Sequence, residues 1–471
     1  MKHFFPLLLF ALLVILHSKV SGQVYNAPDS NQTLARELFR QLIETNTTEK
    51  IGSTSAAEAM ADRLRSAGFA QSDITLAGPQ PEHMNMVARY RGNGKLPPVL
   101  FIGHLDVVEA LREDWSFEPF KFLEKDGYFY GRGTSDMKGE DANMVANLIR
   151  LKQEGFIPDR DIIVALTDHE EGGIANGVSW LIKNRRDLID AEYCINPDGG
   201  GGNIKNGTEK IMNIQTSEKI YLDYSFEAHN NGGHSSLPVK DNAIYQIASA
   251  LTSLAKYDFP LRINETVRVY FERNAVNETG QTKADMLAAA RIPADTAAAG
   301  RLAKSSPYYN ALMRTTCVAT LISGGHANNA LPQTAKANIN CRMLPDDTPE
   351  NVMATLKKLA DDPEIEITCT YSSVLSPASP LRNDILEKVD RLTSSMWPGV
   401  TVTPVMSTGA TDGKWLRREG IPVYGISGIF SDFSDNRAHG RDERVGVKEF
   451  YKSLEFMYRL MKELTSGQEN K

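Results

Sequence analysis

A chain of 471 residues is too long for one ordinary hydrophobic core, so at least two domains are expected. Its 41% hydrophobic and 24% charged residues are the proportions of a globular protein, not of a disordered or fibrous one. The net charge of −7, with no basic tract or arginine-rich stripe, argues against nucleic acid as a partner.

The first residues read as a leader. Lys2 supplies a short positive region, residues 4–16 are almost wholly apolar, and Val20, Ser21 and Gly22 offer a cleavage site. This is the pattern of a secretory signal peptide, residues 1–22, cut after Gly22. An uncleaved anchor is the alternative, but the apolar run is short for a bilayer span. The expectation is an exported protein, periplasmic or secreted, with no stable membrane span after cleavage.

Helical spacing of apolar residues predicts helices over 33–45 and 55–67. Strands are predicted at 86–92 and 98–104, a helix at 139–154, a strand at 161–168, a helix at 175–186 and a strand at 191–198. Such alternation indicates a parallel α/β sheet with right-handed crossovers. The pattern changes near 215. Residues 219–229 alternate like a half-buried strand, a helix follows over 241–255, and 315–325 and 334–344 read as antiparallel strands. A helix at 348–360 and a strand at 364–371 complete a β-α-β-β-α-β order, the ferredoxin-like arrangement. Residues 257–314 interrupt it with an alanine-rich, helical insertion. After about 375 helix and strand alternate again. The simplest organisation is a catalytic domain built from 23–214 and 375–471, with an α+β lid of 215–374 inserted.

The four cysteines show no CxxC spacing, so a cysteine metal site is not supported. The expectation is that Cys194, Cys317, Cys341 and Cys369 are reduced and buried. A bridge between Cys317 and Cys341, in strands that can neighbour each other, is the alternative.

Five residues sit where hydrophobic runs break into glycine-rich turns or near them: His104, Asp136, Glu171, Asp198 and His439. In open α/β sheets, ligands bind beyond the carboxyl ends of the strands. Two imidazoles and three carboxylates suffice for two divalent metals sharing a bridging carboxylate, and both groups are natural zinc ligands. In His104-Leu105-Asp106 both polar side chains share a face, so Asp106 can take a proton from the second ring nitrogen of His104. Taken alone, Asp136 reads first as a helix cap. Of the adjacent pair Glu170 and Glu171, one can bind metal while the other acts as general base on water. Asp198 precedes glycines that let backbone approach a ligand.

Together GHLDVV, GRGTSDMKG, DHEEGG, NPDGG, GGHSSLP, NALP with CRMLP, and AHGRDERV resemble a known family over about 85–450. It is the di-zinc exopeptidase and amidohydrolase family of aminoacylase, carboxypeptidase G, succinyl-diaminopimelate desuccinylase, carnosine dipeptidases and Gly-X carboxypeptidase. The resemblance implies a phosphorylase/hydrolase-like zinc exopeptidase catalytic domain with an inserted ferredoxin-like lid that dimerises. It implies that His104 and Asp198 hold one zinc, Glu171 and His439 the other, and that Asp136 bridges them. Glu170 would be the general base and Asp106 the partner of His104. His169 departs from the commoner Asp-Glu-Glu. A HExxH protease helix is excluded.

The same resemblance implies that His234 donates to the oxyanion, usually in the neighbouring subunit's site. It implies that Asn329 and Arg342 bind the substrate's amide region and carboxylate. A planar guanidinium suits a carboxylate, with a salt bridge to Asp346 or Asp347 as the structural alternative. The expectation is therefore an exported, homodimeric hydrolase with two zinc ions per chain, cobalt or manganese being possible substitutes. It would cleave an amide next to a free carboxylate as a dipeptidase or carboxypeptidase. An N-acyl-amino-acid amidohydrolase is the alternative, and a catalytically silent binding protein a remote one.

Overall fold

The computed structural model describes residues 27–173, 175–205 and 207–467. The predicted leader lies outside them. Among the described residues no helix is long and apolar enough to cross a membrane.

The strands Val99–His104 and Ile162–Thr167 are buried along their whole length, as continuous apolar runs in a twice-covered sheet must be. Side chains alternate between two cores. Phe101, Val164 and Leu166 face one that includes Leu38, Leu148 and Leu460. Leu100, Ile102 and Ile163 face another with Val178, Leu181 and Leu416. Helices therefore flank both faces.

The sheet order is Ile74–Ala77, Asn85–Tyr90, Ile162–Thr167, Val99–His104, Tyr193–Ile195 and Val423–Tyr424. The last four are parallel. Asn85–Tyr90 runs antiparallel to Ile162–Thr167, and Ile74–Ala77, which was not among the predicted strands, antiparallel to it in turn. The reason is the short link 91–98, which cannot hold the crossover that a parallel neighbour requires. The helix predicted over 175–186 is broken into Gly177–Asn184 and Arg186–Ile189.

A four-stranded antiparallel sheet follows the order Thr316–Gly324, Thr334–Met343, Ile220–His229, Ile365–Ser372. Helices Ala243–Lys256 and Pro349–Ala360 cover it through Ile247, Ala250, Val352 and Leu356, packed on Leu222, Tyr224 and Phe226. This is the ferredoxin-like arrangement. Cys317 and Cys341 face each other in neighbouring strands and form a disulfide, so the expectation of four reduced cysteines was wrong for this pair. Strand register brought together two residues that spacing alone could not pair. Cys194 is free and buried, Cys369 free and exposed.

The segment 257–314 folds into the helices Glu265–Asn274, Gly280–Ala289, Thr296–Ser305 and Pro307–Met313. Asn264, Asp295 and Ser306 cap three of them, each side chain accepting from a backbone N–H of the first turn. Their core of Val267, Phe271, Met286 and Leu302 reaches Met406, so this layer packs on the strand Thr401–Ser407.

Candidate metal centre

His104 ends the strand Val99–His104, and Glu170 and Glu171 follow Ile162–Thr167 directly. Asp198 lies in the turn Pro197–Gly199 beyond Tyr193–Ile195. The parallel strands therefore deliver these groups to one edge. Asp136 precedes the helix Lys138–Gln153 but does not cap it. Its carboxylate turns inward instead. Oδ1 accepts from His104 Nε2 at 3.0 Å, and Oδ2 lies 3.2 Å from His439 Nε2. His439, half-exposed in a turn at φ +61°, also donates to Glu171 Oε1 at 2.7 Å. One carboxylate thus stands between two imidazoles from opposite ends of the chain.

Asp198 lies beside this group without a hydrogen bond to any member. Burial, and then the charge of Asp136, push its pKa up to about 7. Burial also raises that of Glu170, reinforced by Asp412 and Asp198. Burial would raise Asp136 too, but its contacts with His104 and His439 hold it below the usual carboxylate range. Those with Asp136 and Glu171 push His439 up to about 10.

Asp106 differs from expectation. The Nδ1 of His104 meets the backbone carbonyl of Asp106 at 3.0 Å, while the carboxylate stands off at 3.6 Å. That carboxylate accepts from the backbone N–H groups of Glu170 and Glu171, at 3.1 and 2.9 Å. The chain turns after the strand, so the carbonyl reaches the ring first and the side chain braces the acidic pair.

A cleft of about 550 Å³ opens beside Glu170 and Glu171, with Tyr221, Arg342, Tyr371 and Lys414 also lining it. Arg342 stacks on the ring of Tyr221 at 4.5 Å, and Tyr371 meets that ring edge-on at 5.6 Å. Arg342 donates to Thr408 O at 3.5 Å. It forms no salt bridge with Asp346 or Asp347, so the structural alternative fails and its fork faces the cleft. His234 and Asn329 are not assembled there within one chain. They lie exposed on a two-stranded ribbon, where Ser235 N donates to the Asn329 carbonyl and His234 Nδ1 accepts from Ser236.

Two acids that frame the site were not singled out from sequence. Glu443 is fully buried and accepts from the N–H groups of Gly133, Ser135 and Asp136 while pairing with Arg132 at 2.7 Å. It shapes the turn that presents Asp136. Lying in the charged run RDER, it looked like a solvated residue, and only its nearness to His439 was a signal. Asp412 is buried and accepts from Asn176 Nδ2 at 2.5 Å and Thr167 Oγ1 at 3.3 Å. Asn176 also donates to the carbonyl of His169, which fixes the segment before Glu170.

The donor set fits divalent metal. Ligand atoms of His104, Asp136 and Glu171 lie within 4.8 Å of one another, and His439 completes a second bank. Partly buried carboxylates that repel one another beside imidazoles are what a dipositive ion neutralises.

Comparison with known proteins gives the same answer. The model of peptidase family M20/M25/M40 matches residues 100–463. Human N-fatty-acyl-amino acid synthase/hydrolase PM20D1 is 27% identical over 398 residues, 82% of this chain and 78% of that protein. Probable carboxypeptidase S-like 2 of Dictyostelium discoideum is 28% identical over 391 residues, 80% and 74% of the two chains. The solved M20 metallo-carboxypeptidase Sso-CP2 from Sulfolobus solfataricus has a similar fold, with a TM-score of 0.66 at 16% identity over 91% of this chain and 98% of that one. The chain belongs to peptidase family M20/M25/M40 and is a hydrolase of its metallopeptidase and amidohydrolase kind.

Proposed function

We propose that this protein is an exported di-zinc hydrolase that cleaves an amide bond next to a free carboxylate. Asp136 carries the reading: its two oxygens face two imidazoles, His104 and His439. In this reading His104 and Asp198 hold one ion, Glu171 and His439 the other, and Asp136 both. Cobalt or manganese suits the same donors. When bound, such ions polarise a carbonyl and acidify water.

The chain's own groups do the rest. Glu170 takes the proton from water and later passes it to the leaving amine. Burial, with the charges of Asp412 and Asp198, raises the affinity of this carboxylate for a proton. Asp106 holds the amides of Glu170 and Glu171. Arg342, braced on Tyr221, receives the substrate carboxylate.

Dipeptides or peptides cut at the carboxyl end are the leading substrates. N-acyl amino acids are the second class, supported by similarity to a protein named as an N-fatty-acyl-amino acid hydrolase. Export is supported by the leader-like residues 1–22 and by the disulfide. A homodimer is supported by the edge strand Thr316–Gly324, where Val318, Leu321 and Ile322 are exposed at 59%, 70% and 66%. In such a dimer His234 of each subunit would serve the other's cleft as oxyanion donor, with Asn329 beside it.

Hydrolysis of a panel of dipeptides, longer peptides and N-acyl amino acids, each with free and amidated carboxyl ends, tests the reading. Free-carboxylate substrates should be cleaved and chelation should abolish it. Turnover that ignores both amidation and chelation would overturn the proposal.

A further inference from the structure

A second group of metal-ligating side chains lies just before the proposed base and shares no member with the centre described above. Ligand atoms of His83, Asp168 and His169 all lie within 4.8 Å of one another. Asp168 and His169 follow the strand Ile162–Thr167, and the link between Ile74–Ala77 and Asn85–Tyr90 brings His83 over them. His83 Nδ1 lies 2.6 Å from Asp168 Oδ2, and His169 Nδ1 lies 3.9 Å from the same oxygen. The two rings stack with centroids 4.2 Å apart and planes 26° from parallel. Asp168 and His169 are buried, whereas the His83 side chain keeps 14% exposure and opens the group to solvent.

Three further observations separate this group from a simple ion pair. Ser53 Oγ donates to Asp168 Oδ1 at 2.7 Å, which leaves Oδ2 aimed at the two rings. Such outer hydrogen bonds orient metal-binding carboxylates. Among the described residues, no lysine or arginine forms a salt bridge with Asp168; only the two histidines face its charge. Finally, His169 occupies the left-handed region at φ +60°, which few non-glycine residues adopt. Asn176 holds its carbonyl at 3.1 Å, and Gly173 packs so tightly that a Cβ there would sit 2.1 Å from His169 Cδ2. Asn176 and Gly173 thus hold this ring beside Asp168. The hydrogen bond between His83 and Asp168 accounts for two members of the group; His169 bonds to neither of them, and its Nδ1 lies 3.3 Å from the Ala175 carbonyl, a contact that a bound ion would replace.

We propose that His83, Asp168 and His169 form an additional divalent-metal site of the zinc class. Two imidazole nitrogens and one carboxylate oxygen are zinc donors, and the exposed edge of His83 leaves the remaining coordination to water. The ion would tie the 78–84 link to the segment that carries Glu170 and Glu171. It does not depend on the dinuclear reading, since the two groups have no ligand in common.

The test is zinc bound per full-length chain after equilibrium dialysis, measured by atomic emission. His83→Gln should bind one ion fewer than the wild type. Asp136→Asn should lose ions of the other centre only, so failure of the dinuclear reading shows as an unchanged Asp136→Asn. Crystals of the wild type measured at the zinc edge give a second readout should His83→Gln misfold. An anomalous peak about 2.0–2.2 Å from donor atoms of all three residues supports the site. Equal zinc content in wild type and His83→Gln, or no anomalous peak between the three side chains, overturns it.

Discussion

Exchange of Glu170 for glutamine separates the proposed base from the proposed ligands. Among the described residues the Glu170 carboxylate makes no hydrogen bond or ion pair; its backbone N–H alone is held, by Asp106. Glutamine keeps the shape, and removing the charge relieves repulsion from Asp412 and Asp198. The variant should therefore melt at or slightly above the wild-type temperature. General-base catalysis contributes roughly 10²–10⁴-fold, or about 3–5 kcal/mol of barrier at about 1.4 kcal/mol per tenfold. That loss should fall on kcat, with KM little changed, because the amide removes a group that acts in the transition state. Metal content should stay at the wild-type value. Glu171→Gln is the control, because its Oε1 lies 2.7 Å from His439 Nε2 and its loss should lower metal occupancy. The assay is steady-state kinetics at saturating zinc, alongside atomic emission on the same samples. A Glu170→Gln enzyme within about fivefold of wild-type kcat, far below the range expected for a general base, would refute the assignment.

Three further outcomes follow from the same geometry. Arg342→Ala should lower kcat/KM by about 10–100-fold for free-carboxylate substrates, the scale of a charge-assisted hydrogen bond. Lysine should not restore it, because it lacks the planar fork braced on Tyr221; equal effects on amidated and free substrates would argue against carboxylate recognition. His234→Ala should lose turnover while keeping its metal. Mixed with Glu170→Gln under conditions of proven subunit exchange, it should regain activity, since in a two-fold dimer one site of the mixed pair inherits neither defect; no recovery would rule out action across an interface. Lys219 is buried with its Nζ on Arg314 O at 2.8 Å, and burial lowers its pKa from 10.5 to about 7. Between those values the unfolded chain holds the proton and the folded chain does not, so this group makes stability rise with pH. The cost of its buried charge is fully present below pH 7. The stability of Lys219→Met minus that of wild type, from urea titrations, should thus shrink by a few kcal/mol between pH 7 and 10; a constant difference would show that the lysine titrates normally.

Much of the architecture is legible before any folding, because periodicity reports burial. The unbroken apolar runs of Val99–His104 and Ile162–Thr167 are short and rich in β-branched residues, which marks them as strands covered on both faces. The alternation at 219–229 and 334–344 marked a sheet with one covered face. Ligand-type residues at the ends of such runs were equally visible, and the structure brings His104, Asp136, Glu171 and His439 into contact. What periodicity does not carry is which distant segments meet. The antiparallel sheet edge and the Cys317–Cys341 bridge depend on strand order and register. The brace of Asp106 on the acidic pair depends on how the chain turns after His104. Glu443 shapes the Asp136 turn from 307 residues away, and His83 reaches Asp168 across 85. A charged side chain in a polar run looks solvated until the fold buries it against backbone N–H groups. Local pattern therefore determined the strands and the residue types at their ends, whereas sheet order and chain reversal decided which of those residues share a site.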